Sequence, residues 1–249
     1  MPKFLIAISS CHDDANHGDH DVIRETWGKT ADDLGIQYIL AMGGEPRELR
    51  EHELHYAGVN DNWNNLPVKT LKNIEFALSG GYDFIFQGFR DTYISIPRLI
   101  DAFWKILDEE VVGNFYFHGV YEGYPCGGSG YWMRADFMRH LLRAGTGGAT
   151  SEDIMVGGVM RKHGVAGYHD SRYDHCSMRG GVSKHNSNIT NHLWTNYQQY
   201  FQRTLDIHNW NSDWLRQEQR KELTGEWTEQ DRAYMERIPE IRKGLGFIE

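Results

Sequence analysis

Two short charged pairs carry the residue types best suited to chemistry. Arg90-Asp91 stands just beyond the apolar run Tyr82–Gln87, so a guanidinium and a carboxylate sit side by side where a buried strand should end. A carboxylate there is a hard oxygen ligand for Mn2+ or Mg2+. A guanidinium pairs bidentately with phosphate and could take over part of a metal's role. The plainer alternative is a solvated Arg-Asp turn. Glu152-Asp153 precedes Ile154, Val156 and Gly157-Gly158, a pattern that opens a helix. Acids in a first helical turn are also ordinary partners of the helix dipole.

Between these pairs lies Gly127-Gly128-Ser129-Gly130, whose small residues allow close backbone approach to a ligand. It lacks the spacing and lysine of a phosphate-binding P-loop. The chain has 13 histidines, most of which serve as structural or exposed residues rather than ligands. Trp132, Trp194 and Trp210 could stack on sugar rings, although tryptophans more often pack a core.

Five motifs run in order: Ile-Arg-Glu-Thr-Trp at 23–27, Asp-Asn-Trp-Asn-Asn-Leu-Pro-Val-Lys-Thr at 61–70, Arg-Asp-Thr-Tyr-Ile at 90–94, Tyr-Pro-Cys-Gly-Gly-Ser-Gly-Tyr at 124–131 and Glu-Asp-Ile-Met-Val-Gly at 152–157. Over residues 4–180 the series resembles the inverting glycosyltransferases of the β-1,3-galactosyltransferase and Fringe family. The second motif matches in register over ten positions, with Trp63 in place of a tyrosine. The resemblance implies a GT-A fold, an α/β sheet of the nucleotide-sugar-binding type. It implies transfer of a sugar from a UDP-sugar to a hydroxyl, on a glycan or another acceptor, with a β linkage formed.

Residue roles follow from the same resemblance. Asp153 occupies the base position, with Glu152 as its neighbour and substitute. Asp91 is the surviving member of an acidic triplet that holds Mn2+ or Mg2+ on the diphosphate; Phe89 and Arg90 replace the other two. A histidine beyond the Glu-Asp motif completes such a metal site, which points to His175, with His169 and His185 as competitors. Arg24 and Lys69 match basic positions, and each is open to a nucleotide contact or a structural ion pair. Asp61 either touches the nucleotide or fixes its loop. The altered triplet also admits a non-catalytic sugar or nucleotide binder.

Composition narrows the partners. The formal charge is −9, from 26 Lys and Arg against 35 Asp and Glu. That argues against a protein built chiefly to grip nucleic acid, so glycosylation of a modified base is not favoured as the acceptor chemistry. No apolar run reaches the roughly 18 residues needed to span a bilayer, and no membrane partner is expected. Cys11, Cys126 and Cys176 are odd in number and widely spaced, which suits reduced thiols and a cytoplasmic setting.

The elements that must position these residues alternate. Phe4–Ser9, Ile36–Met42, Tyr82–Gln87 and Phe115–Tyr121 read as strands. Val22–Leu34, Pro46–His55, Val68–Leu78 and Pro97–Leu107 read as helices, with Pro67 in a first turn and Gly80-Gly81 at an end. Alternation implies a mainly parallel sheet covered on both faces, with ligands at the carboxyl ends of its strands. The expected organisation is a catalytic domain over residues 1–192 and a helical extension over 193–249, with helical spacing in Asp213–Leu223 and Glu229–Arg237.

Overall fold

A computed structural model describes residues 2–16, 18–108, 120–121, 124–125, 127–165, 173–174 and 190–192. The expected helical extension, His169, His175, His185, Cys126, Cys176, Trp194, Trp210 and most of the run at 115–121 lie outside these residues.

The first apolar run forms β1 (Phe4–Ser9), buried along its whole length. Successive side chains of a strand point to opposite faces. Phe4, Ile6 and Ile8 therefore join one hydrophobic core, and Leu5 and Ala7 join the other. A strand covered on both faces reads as a continuous apolar run, which is why this one was legible. It lies at the centre of a five-stranded sheet with β2 (Tyr38–Met42), β3 (Glu53–His55), β4 (Phe84–Phe89) and a later strand at Tyr131–Arg134. β2 and β4 flank β1 in parallel, β3 runs parallel to β2, and the Tyr131–Arg134 strand closes the other edge antiparallel to β4. The mainly parallel α/β sheet matches the expected architecture.

Helices cover both faces. Short α1 (His12–Asn16) is followed by α2 (Asp19–Glu25) and α3 (Trp27–Asp33), which pack Val22, Ile23, Trp27 and Ala31 on one face. The sequence suggests one helix here, and the structure has two. Thr26 breaks it at φ −114°, ψ −110°, with its hydroxyl donating to the Val22 carbonyl at 2.6 Å. Such back-bonding competes with the regular helix. Gly28 lets α3 lie close, since a Cβ there would stand 2.6 Å from the Ile23 carbonyl oxygen. α4 (Leu66–Ser79) lines the opposite face, with proline in its first turn as expected.

Residues 46–55 were expected to be helical and are not. They run irregularly into β3, and His52 has φ +64°, outside helical space. The override is tertiary: Glu53 buries its carboxylate and accepts the Arg50 N–H at 3.0 Å.

After β4 the chain turns through Arg90 and Asp91 into β5 (Thr92–Ile94), then α5 (Ile96–Asp108), which packs Leu99 and Phe103 beside α3. Two short paired strands follow, β6 (Val120–Tyr121) and β7 (Tyr124–Pro125), then a 3-10 turn at Gly127–Ser129 and β8 (Tyr131–Arg134). α6 (Ala135–Ala144) and α7 (Glu152–His163) complete the layer with α4. A second sheet, in order β5-β10-β9, joins β5 to β10 (Thr190–His192) and β9 (Tyr173–Asp174). Trp132 is fully buried in the core and donates to Tyr173 Oη at 2.9 Å, so it is not a sugar-stacking surface.

Candidate active site

The carboxyl ends of β1, β2 and β4 meet at one edge of the sheet. Asp61 ties the first two together. Its Oδ1 accepts the Gly43 N–H at 2.8 Å after β2, and its Oδ2 accepts the His12 N–H at 2.7 Å after β1. Lys69, 2% exposed on α4, pairs with Asp61 Oδ1 and donates to the Ser10 carbonyl at 2.6 Å. Burial pushes the Asp61 pKa up, but Lys69 and the two backbone donors overcome it and hold it below the usual carboxylate value. Asp61 thus fixes its loop, and Lys69 is its buried ion-pair partner.

Arg24 is likewise engaged within the chain. Its guanidinium donates to the Glu51 carbonyl at 2.9 Å and pairs with Asp21 at 3.1 Å and Glu53 at 2.9 Å. Glu53 also contacts His20, whose Nδ1 lies 2.9 Å from Oε1 while Nε2 lies 2.7 Å from Ser10 Oγ. Ser10, His20 and Glu53 have the distances of a nucleophile–base–acid relay. All three are buried, which denies it a substrate and makes it a fastening between β1, α2 and β3. The neighbouring Cys11 thiol is pushed up to about 12, chiefly by burial and then by Asp14, and stays protonated.

The other three motifs converge. Phe89 N–H donates to Thr92 Oγ1 at 3.3 Å, and that hydroxyl donates to the Gly128 carbonyl at 3.0 Å. Gly127 N–H donates to Asp153 Oδ1 at 2.9 Å. A Cβ on Gly127 would overlap both Glu152 Oε1 and the Phe89 ring, so only glycine fits. One set of contacts therefore binds the end of β4, the glycine loop and the start of α7. Asp153 is half-buried and oriented by a backbone donor. Glu152 is 1% exposed, and its Oε1 has no hydrogen-bond partner. Burial, then the Asp153 charge, pushes its pKa well above the ordinary value. Asp153 has the access a base needs, and Glu152 does not.

Arg90 pairs with Asp14 at 3.0 Å through Nε and with Asp19 at 2.6 Å through Nη1. Asp91, half-buried, occupies the turn between β4 and β5.

No family model matches the chain. β-1,3-Galactosyltransferase 1 of mouse and of human are each 23% identical over 233 residues, spanning 77% of this chain and 70% of theirs. A crystal structure of a glycosyltransferase involved in the glycosylation of the major capsid of PBCV-1 shares the fold with a TM-score of 0.51 at 10% identity. The alignment covers 82% of this chain and 99% of that one. The chain has the GT-A glycosyltransferase fold.

The chain brings together most residues expected from its sequence: Asp153 and Glu152 at the glycine loop, Asp91 in the turn between Phe89 and Thr92, which contact that loop, and Asp61 with Lys69 at the adjoining strand ends. Its sequence did not single out Asp14, Asp19, His20, Glu53 or His192. The Asp- and His-rich stretch Ser10–Asp21 was the signal for the first three. For His192 there was none: β10 is three residues long, and its register sets His192 opposite Thr92, next to Asp91 in the chain. Among the described residues no three His, Cys, Asp or Glu side chains form a metal-binding group. Asp91 alone fits a hard cation that takes its other oxygens from a substrate diphosphate, since such cations are commonly held by one or two carboxylates plus phosphates.

Proposed function

We propose that this protein is a glycosyltransferase that transfers a hexose, with galactose as the first donor to test, from a UDP-sugar to an acceptor hydroxyl with inversion. The observation that carries the reading is the Asp153 carboxylate. One oxygen accepts the Gly127 N–H beside the end of β4, which orients the carboxylate to take the acceptor proton. The acceptor oxygen then bonds to the anomeric carbon as the bond to the UDP oxygen breaks. Ile154, 56% exposed beside Asp153, and Trp63, 68% exposed beyond Asp61, offer apolar faces to sugar C–H surfaces. Mn2+ or Mg2+ would be held by Asp91, with His175 as the second ligand expected from the sequence, and would supply charge that stabilises the departing diphosphate. The names of the similar galactosyltransferases support the donor class.

The test is Asp153→Asn. A positioned base contributes about 10²–10⁴-fold, so transfer should fall by that order while UDP affinity holds. Calorimetry with UDP and a radiolabelled-donor assay read the two separately. Transfer at the unsubstituted rate would remove Asp153 from the role. Asp91→Ala should abolish any Mn2+ enhancement of UDP affinity.

A further inference from the structure

Arg90 stands between two residues of the site. Phe89 on one side packs against Gly127, and Asp91 on the other lies in the turn between β4 and β5. Its guanidinium nevertheless reaches back to Asp14 and Asp19 on the segment that follows β1. Asp19 is 1% exposed, and the Arg90 guanidinium is one of the groups that offset its buried charge. Asp14 extends the connection: its Oδ2 accepts the Cys11 N–H at 2.9 Å and the Ser10 hydroxyl at 3.1 Å. The next residue, His12, gives its N–H to Asp61, and the Ser10 carbonyl takes Lys69. The segment from Ser10 to Asp19 is thereby fastened at both sides, to the β2 end through Asp61 and to the β4 end through Arg90.

We propose that Arg90 is a positioning residue that latches the 10–19 segment across the donor site, and that it is not a ligand of the diphosphate. The proposal rests on reading this sheet edge as the site of the UDP-sugar. Preorganising a wall of the site strengthens every ligand that touches it, whatever its charge. A phosphate ligand strengthens only ligands that carry phosphate.

Calorimetry with UDP and with uridine separates the two. Under the latch, Arg90→Met weakens both ligands by a common factor of about ten or more. Asp19→Asn weakens both similarly, and the double variant is no worse than the single ones, as expected for partners in one contact. If Arg90→Met weakens UDP tenfold or more and leaves uridine unchanged, Arg90 is a diphosphate ligand and the proposal fails. It fails equally if neither ligand is affected. Should Arg90→Met not fold, the charge exchange Arg90→Asp with Asp19→Arg replaces it. A latch requires the exchanged pair to bind both ligands better than Arg90→Asp alone, and selective loss of UDP by the exchanged pair overturns it. If the unsubstituted protein binds neither ligand, the donor-site reading falls and the proposal with it. Binding by the unsubstituted protein without a common loss in the variants overturns the latch alone.

Discussion

Glu152 and Asp153 are neighbours in sequence with opposite circumstances. A buried carboxylate with an oxygen that nothing satisfies is costly, so burial favours the protonated form of Glu152. Its pKa lies above the ordinary 4.5 of the unfolded chain. Below 4.5 both states carry the proton and the group is neutral to stability. As pH rises past that value the unfolded chain loses the proton first, so stability falls until the folded value is reached. Glu152→Gln keeps the shape and the neutral charge. It should retain transfer, far from the ~10²–10⁴-fold loss expected of Asp153→Asn. It should also raise the melting temperature near neutral pH more than below pH 4.5. A full loss of transfer in a folded Glu152→Gln would make Glu152 a participant in proton transfer.

Elements differ in how plainly the sequence declares them. β1 was legible because burial on both faces leaves an unbroken apolar run, and α4 because proline and glycine mark its ends. The break at Thr26 depends on one hydroxyl reaching a carbonyl four residues back, which no periodicity records. The segment at 46–55 was misread because its fate depends on Arg24 and His20, remote in sequence, receiving the Glu53 carboxylate. The site was legible as an order of motifs, and the contacts among residues 89–92, 127–128 and 152–153 are the physical content of that order. Arg90's partners were not legible, since a guanidinium at a strand end suits phosphate and carboxylate alike. The joint between α4 and the strand ends is testable. Lys69→Met leaves Asp61 charged without its buried partner and should cost about 3 kcal/mol in urea unfolding. Adding Asp61→Asn should recover part of the loss, and an unchanged unfolding midpoint in Lys69→Met would show the pair to be dispensable.

At the scale of the molecule, the fastening of β1, α2 and β3 makes the fold sensitive to acid. Burial holds the His20 pKa below its ordinary 6.5 despite the Glu53 contact. Above 6.5 His20 is neutral whether folded or not. Below it the unfolded chain takes up a proton that the folded chain refuses, so stability falls as pH drops toward the folded value. Burial raises the Glu53 pKa, but the Arg50 N–H, His20 and Arg24 outweigh it and bring it from 4.5 to about 2. Its contribution is complete above 4.5 and is lost as pH falls toward 2. Urea midpoints should therefore decline from neutral pH to about pH 5, and His20→Asn should flatten that decline. An equal slope in the variant would place the acid sensitivity elsewhere.

The pairing of β5 with β10 also sets a timetable for the newborn chain. Every strand of the five-stranded sheet has been made by Arg134, and the base candidate by Asp153. β5 begins one residue after Asp91, yet its strand partner arrives only at Thr190. Contacts so distant in sequence form late, because a long loop must close first. A ribosome partway through the message would hold a nascent chain with its scaffold and both key carboxylates already present. The strand beside Asp91 would still await β10.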